Sequence, residues 1–441
     1  MDTATLATII LLGGFVLLMI LKVPISFALL LPAVGAAMVN GTMLTNLVNS
    51  MYDGVSSFML LAIPFFILMG EIMGAGGISE KIVGLANLLV GRFRGGLAYV
   101  NCLDSMFFGG ISGSAVADVS SLGSVVIPMM VKQGYTPEFS VALTVATATQ
   151  GVLIPPSHNM VIYALCATGM VVGGKAINVN LEHLLIAGAV PGILVGLSML
   201  LLCFFMRVKY KFPKGVIIPK GQRLKVLLEA ILPMFTLVII MGGVAAGIFT
   251  VTESSAFACL YTFILTYVVY RSAKLRDIGK VLKNSLKTLA IVLTLIGTSK
   301  AFAYMMTDLR IPDMITNLLL SITQNKYLIL LIINALLLLL GCPMDMAPMI
   351  IIMTPILLPV VTKIGMDPIH FGIVMVFNAA IGLLTPPVGT TLFVGCAVGK
   401  TSIEKTSIAA LPMFAMMVVV LLLVTYIPDI SLWLPGVLFG K

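Results

Sequence analysis

The chain has 441 residues, 60% of them apolar and only 10% charged, against about 25% charged in an ordinary soluble domain. That balance excludes a soluble fold, and apolar runs that recur from Leu6 to Val424 exclude a lone leader followed by a globular domain. The net charge of +9 reads as flanking charge on the cytoplasmic side of membrane spans. Nucleic-acid binding is not expected, because no soluble stretch is long enough to form a basic domain.

In chain order, residues 3–21 lack a basic n-region and a clear cleavage site and read as a first span. Two basic clusters orient the rest. One comprises Arg207, Lys209, Lys211, Lys214, Lys220, Arg223 and Lys225; the other Arg271, Lys274, Arg276, Lys280, Lys283 and Lys287. Spans at about 226–248 and 252–270 separate them as a hairpin, so both clusters belong on one side, the cytoplasm. Lys22, Arg92, Arg94, Lys132, Lys400 and Lys405 then fall on the same side, and the N-terminus lies outside. Segments 95–131 and 328–361 are long enough to cross twice but carry polar residues at their middles, so each is expected to be a re-entrant hairpin. Two further segments, 137–168 and 367–399, read as broken spans.

The expected organisation is all-α and polytopic. Residues 1–75 are scaffold helices, 76–94 an amphipathic arm, and 95–168 a hairpin and broken helix. A connecting helix (169–208) and a basic loop (209–225) follow. Scaffold helices (226–306), a second arm (307–327), a second hairpin and broken helix (328–399) and a C-terminal helix (400–441) complete the chain. The six cysteines (Cys102, Cys166, Cys203, Cys259, Cys342, Cys396) show no C-x-x-C spacing, and His158, His183 and His370 are widely separated. Neither disulfides nor a metal centre is expected from them.

The two halves repeat. Gly110 and Gly341, Pro128 and Pro359, Gly134 and Gly365, Pro137 and Pro368, and Gly151 and Gly382 all stand at one constant offset in the chain, as do Pro155-Pro156 and Pro386-Pro387. Cys166-Ala167 and Cys396-Ala397 match after a slip of a single position. The charge pattern starts the first copy outside and the second inside, so the repeats are expected to be inverted. Inverted repeats with broken helices at matching places point to a secondary transporter whose site lies between the breaks.

Four breaks carry the expected site. The first tip reads Gly109-Gly110-Ile111-Ser112-Gly113-Ser114 and the first broken span Ile154-Pro155-Pro156-Ser157-His158-Asn159. Glycines permit an exposed turn, and consecutive prolines withhold donors and free carbonyls that a hard cation such as sodium can take up. The second half offers Gly341-Cys342-Pro343-Met344-Asp345 and Thr385-Pro386-Pro387-Val388-Gly389-Thr390. Sodium ligands are expected from Gly110, Ser112, Gly113, Ser114 and Pro155 in one half, and from Gly341, Asp345, Thr385, Gly389 and Thr390 in the other. Ser112, Ser157 and Asn159 are the expected cargo contacts, and Ser112, Ser157, Thr385 and Thr390 are the side-chain oxygens expected at the sodium sites. Helix ends meeting there also suit an anion. Acids inside apolar segments (Glu71, Asp104, Asp118, Glu253, Asp345) are functional candidates, with helix capping the alternative for Glu253. Lys300 is expected either to pair with an acid or to snorkel. No nucleophile stands at a useful spacing from a base, so an enzyme is not expected.

Phe107-Phe108-Gly109-Gly110-Ile111-Ser112-Gly113-Ser114-Ala115, Gly123-Ser124-Val125-Val126-Ile127-Pro128, Gly247-Ile248-Phe249-Thr250-Val251-Thr252-Glu253 and Leu384-Thr385-Pro386-Pro387-Val388-Gly389 resemble the large membrane (M) subunit of tripartite ATP-independent periplasmic transporters. The resemblance covers nearly the whole chain. It departs at Val251, where proline is usual, and in a tract at 169–180 that is longer than usual. It implies the ion-transporter superfamily and an elevator-type movement in a bacterial inner membrane. It also implies uptake of an organic acid driven by a sodium gradient, with a periplasmic binding protein and a small four-helix (Q) subunit as partners and no further cofactor. A stand-alone sodium-coupled dicarboxylate symporter is the alternative.

Overall fold

In the computed structural model of the chain, residues 2–172, 174–209, 212, 213, 215, 218–387 and 389–440 are described. Lys211 and Lys214 of the first basic cluster and Val388 of the second break lie outside the described residues.

The first half runs α1 (Thr3–Ile20), α2 (Ile25–Asn40), α3 (Leu44–Val55), α4 (Ala62–Ala75), α5 (Ile78–Val90), α6 (Gly96–Ser112), α7 (Ala115–Lys132), α8 (Pro137–Ala148) and α9 (His158–Ala167). A long helix α10 (Leu181–Lys209) leads to α11 (Lys220–Leu237), which continues through a π-turn into the short α12 (Gly243–Ala245). The second half follows with α13 (Val251–Ile264), α14 (Ile278–Asp308), α15 (Ile311–Ile322), α16 (Lys326–Gly341), α17 (Met346–Lys363), α18 (Pro368–Gly382), α19 (Thr390–Gly399), α20 (Ile403–Tyr426) and α21 (Asp429–Phe439). Among the described residues nine helices are long and apolar enough to cross a membrane.

The expected breaks fall where the chain breaks. The starts of α7 and α17, at Ala115 and Met346, keep the offset of the repeat, and so do the starts of α8 and α18, at Pro137 and Pro368. Pro137 and Pro368 occupy the first helical position, where a missing N–H costs nothing. Thr136 and Asp367 cap the two helices, each accepting from backbone N–H groups of the first turn. Both arms are helical, α5 and α15 lying inside the segments 76–94 and 307–327.

Burial separates two kinds of helix. Of the apolar window in α17, 78% is buried within the protein, against 17% in α1. Helices α1 and α2 pair with each other and expose Leu6, Ile9, Val16, Phe27 and Leu31, the surface of a lipid-facing or partner-facing layer. The inner layer is woven across the two halves: α9 packs on α17, while α19 packs on α7 and α8. Each half therefore lays its second half-helix against the other half's hairpin. In both halves the hairpin crosses the broken span at glycines. A Cβ on Gly151 would stand 2.5 Å from Gly109 Cα, and one on Gly382 would stand 2.7 Å from the Gly341 carbonyl. Only glycine allows backbones to approach so closely.

Three expectations need correction. The chain is not wholly α-helical, since Val171–Val172 and Lys175–Ala176 pair antiparallel in the tract that is longer than usual. The C-terminal region is two helices rather than one, because the chain turns at 427–428 before α21. The basic loop is shorter than expected, since residues 220–225 already form the first turns of α11.

Candidate functional site

At the first tip α6 ends at Ser112, Gly113 takes a left-handed conformation (φ +62°), and Ser114 caps α7 by accepting from Ala117 N at 3.3 Å. The Ser114 N–H donates to Ser112 Oγ at 3.4 Å. A Cβ on Gly113 would stand 2.1 Å from the Pro156 carbonyl oxygen, so the tip lies directly on the first break. Gly110 sits one turn earlier, and a Cβ there would stand 3.0 Å from the Ile154 side chain.

At that break α8 tightens into a 3-10 turn (149–152), and both Leu153 N and Ile154 N donate to Gln150 O. Pro155 and Pro156 follow, joined by a cis peptide bond, and α9 starts at His158. Ser157 stands at the N-cap position, fully buried, and its hydroxyl has no hydrogen-bond partner among the described residues. A buried polar group left in that state costs about 1–3 kcal/mol, so this oxygen is poised for a ligand. Asn159 Nδ2 reaches across to Met346 Sδ at 3.8 Å, the first residue of α17 in the other half.

The second tip and break repeat the plan with different side chains. Asp345 takes the place of Ser114 at the start of α17, and its carboxylate accepts from Thr390 Oγ1 at 3.4 Å. Thr390 opens α19, and Gly389 before it is packed against the carbonyls of Leu383 and Thr385. Thr385 Oγ1 donates to Gly382 O at 2.8 Å, and Thr391 Oγ1 to Leu383 O at 2.7 Å. Pro386-Pro387 is again cis.

One cavity of about 1490 Å³ receives parts of both halves. Ser112, Ser114, His158, Asn159, Asp345 and Met346 are among its lining residues. The N-termini of α7, α9 and α17 open on it, and α19 starts beside Asp345. Converging helix N-termini present unpaired N–H groups and a positive dipole end, which explains how an anion can be held with no lysine or arginine at the tips. The C-terminus of α6, at Ser112, supplies carbonyls to the same region. Thr385 falls elsewhere, on a smaller hollow of about 330 Å³ beside α20 that Cys342, Pro386 and Ser407 share.

The cavity also uses residues that the motifs do not flag. Ser120 and Ser121 of α7 line it, as do Lys280, Asn284 and Thr288 of α14, one face of that helix by their regular spacing. Lys274, Arg276 and Lys280, all exposed, make the basic end of the cavity. Glu71 of α4 accepts from Asn284 Nδ2 at 3.5 Å across the cavity wall. Of the other candidates, Glu253 is a capping residue, closing a reciprocal box with Thr250. Lys300 pairs with no acid among the described residues; its Nζ donates to the Leu165 carbonyl at 2.7 Å, near the end of α9.

The profile of the tripartite ATP-independent periplasmic transporter, DctM component, matches residues 12–430. The chain belongs to this family. It is 41% identical to YgiK of Salmonella typhimurium, with 97% of each chain covered. It is 38% identical to the isethionate TRAP transporter permease protein DctMQ of Oleidesulfovibrio alaskensis, covering 97% of this chain and 66% of that one. The C4-dicarboxylate TRAP transporter large permease protein DctM of Rhodobacter capsulatus is 33% identical over 98% of this chain and all of its own length. Among solved structures, the YdaH transporter of Alcanivorax borkumensis superposes with a TM-score of 0.59 at 17% identity, covering 92% of this chain and 90% of that one. That likeness is one of fold. The chain is thus a large permease subunit of a TRAP transporter, a multi-pass membrane protein and not an enzyme.

Proposed function

We propose that this permease drives uptake of a small organic-acid anion across a bacterial inner membrane with a sodium gradient. A periplasmic binding protein delivers the cargo and a small Q subunit widens the scaffold. The observation that carries the reading is the meeting of both tips and the first break on one cavity, where helix N-termini suit an anion and neighbouring carbonyls and hydroxyls suit sodium. Relatives named for isethionate and for C4-dicarboxylates share small size and negative charge as cargo. The name DctMQ, on a chain half as long again, agrees with a permease that works with a Q partner.

In this reading the halves are inverted repeats. Residues 95–168 and 328–399 move as one elevator past a scaffold of 1–75 and 226–306. The N-terminus is periplasmic, and the basic end of the cavity at Lys274, Arg276 and Lys280 is cytoplasmic, so the present arrangement is the inward-open one. Sodium is held by Gly110, Ser112, Gly113, Ser114 and Pro155 in one half and by Gly341, Asp345, Thr385, Gly389 and Thr390 in the other. Ser112, Ser157 and Asn159 touch the cargo, and the Ser157 hydroxyl also serves the sodium ion of the first half. The test is reconstitution into proteoliposomes with the Q subunit. Uptake of receptor-bound organic acid should require both the receptor and an inward sodium gradient. Equal uptake with potassium replacing sodium, or uptake indifferent to the receptor, overturns the reading.

A further inference from the structure

The first hairpin holds a second polar centre that the transport reading does not use. Asp104 on α6 and Asp118 on α7 are both buried, at 1% and 0% exposure. Among the described residues neither oxygen of Asp104 has a hydrogen-bond partner, nor does Asp118 Oδ2. The remaining oxygen, Asp118 Oδ1, accepts from Ser105 Oγ at 3.3 Å. The same hydroxyl lies 3.2 Å from Thr147 Oγ1, which in turn donates to Asn101 Oδ1 at 3.2 Å. Asn101, Asp104 and Ser105 share one face of α6 by their spacing.

Among the described residues no ion pair answers the two carboxylates. Ser105, next to Asp104 in the chain, reaches Asp118, which places both acids at one level of the hairpin. On the helices packed around the hairpin, Lys81 of α5 is held by Glu229, Glu71 of α4 faces the cavity, and Cys203 of α10 meets Cys102. Cys396 of α19 is buried beside α7. Two bare carboxylates with no counter-charge at membrane depth are not a stable arrangement.

The fold does not demand these acids. At the matching positions of the second hairpin, Ile332, Ala335, Leu336 and Met349 stand in place of Asn101, Asp104, Ser105 and Asp118. That hairpin closes on the same plan with apolar residues there. Access is also built in, since Ser114, Ala117 and Ser121 on the flanks of Asp118 line the water-facing cavity.

We propose that Asp104 and Asp118 form a binding site for a monovalent cation inside the first hairpin, with Ser105 as a further oxygen ligand, separate from the four breaks. The occupant is a sodium ion or a proton, which share the single positive charge the site needs. The inference does not depend on sodium binding at the breaks.

Purified chain in lipid nanodiscs tests it without any cargo. Bound sodium is counted by equilibrium dialysis with radioactive sodium, and bound protons by the infrared C=O stretch of a protonated, deuterium-exchangeable carboxyl at neutral pH. Asp104→Asn and Asp118→Asn should each bind one cation fewer per chain. Sodium as occupant lowers the sodium count; a proton as occupant leaves that count and removes the carboxyl band. Asp104→Ala guards against misfolding, because alanine stands at the matching position 335, and it should behave as Asp104→Asn does. Ser157→Ala should lower the sodium count independently, so that its effect adds to that of Asp104→Asn. Unchanged sodium count and unchanged carboxyl band in all three acid variants overturn the proposal. Should Ser157→Ala alone lose sodium, the reading of the breaks stands and this one falls; loss in the acid variants alone gives the reverse.

Discussion

At the tips of the two hairpins, Ser112, Gly113 and Ser114 of the first correspond by the repeat to Pro343, Met344 and Asp345 of the second. The helices that flank them begin and cross alike, yet the first tip is a flat turn of small residues laid on Pro156, and the second is a bulkier turn anchored by Asp345 to Thr390. The backbone plan is therefore shared, while the chemistry offered to a ligand is not. The first half brings buried hydroxyls and an unpartnered Ser157; the second brings a carboxylate exposed to the cavity.

The sharpest way to break this comparison is Gly113→Ala. The left-handed backbone alone costs an L-residue about 1–2 kcal/mol. The added carbon also falls 2.1 Å from the Pro156 oxygen, so the tip must lift off the break. Sodium-driven uptake is expected to fall by more than about tenfold, the equivalent of ~1.4 kcal/mol. Met344→Ala, at the corresponding place, adds no clash and should keep the sodium dependence of uptake. Near-normal uptake in Gly113→Ala would show that contact between tip and break is dispensable.

Next in size is Ser157→Ala against Thr390→Ala. Ser157 loses no hydrogen bond on truncation, so the stability of the sodium-free protein should stay the same or rise by up to about 1–3 kcal/mol. Its stabilisation by added sodium should shrink, and uptake should fall several-fold. Thr390→Ala gives up only a long hydrogen bond to Asp345, worth about 0.5–1.5 kcal/mol. A thermal melt with and without sodium separates the two. Equal sodium shifts in wild type and Ser157→Ala would remove Ser157 from the ion site.

Most of the fold was legible because the signals are local. Proline pairs, glycine runs and basic clusters mark where a membrane chain must break or stop, and the helix bounds follow them. What the sequence left dark is what depends on three-dimensional packing. Ser120, Ser121 and Asn284 carry no motif and become cavity residues only when α7 faces α14. Thr385 belongs to a motif but turns its hydroxyl to Gly382 O and faces the hollow beside α20 instead. Asp104 looks like any other acid in an apolar run until its own oxygens are seen to be unanswered and Asp118 stands beside it.

Lys300 tests the seam between scaffold and inner layer. Its ammonium on α14 donates to the Leu165 carbonyl of α9, and a hydrogen bond to a charged group contributes about 1.5–3 kcal/mol. Lys300→Met should shift the population away from the present arrangement by roughly tenfold. Labelling of Ser121→Cys by an impermeant maleimide from the cytoplasmic side reads that population, and its rate should drop. An unchanged labelling rate would mean that the contact does not distinguish the conformations.

The smallest effect is expected at the arms, which are fastened differently in the two halves. Lys81 on α5 meets Glu229 of α11 at 3.1 Å, with the two side chains 23% and 38% exposed. Asp313 on α15 meets Lys363 of α17 at 3.9 Å, at 63% and 40% exposure. Exposed ion pairs are screened and contribute about 0–1 kcal/mol, and this second pair sits at the distance limit. Asp313→Asn should therefore leave the melting temperature and uptake within error of wild type, at low salt as at high. Glu229→Gln should show a small loss that fades as salt is raised, because its pair is shorter and less exposed. The order matters for the elevator reading. The first arm is tied to the scaffold and the second to a hairpin arm, so a second arm that must be held would make Asp313→Asn the more damaging change. The geometry predicts the reverse, and a double-mutant cycle on each pair decides between them.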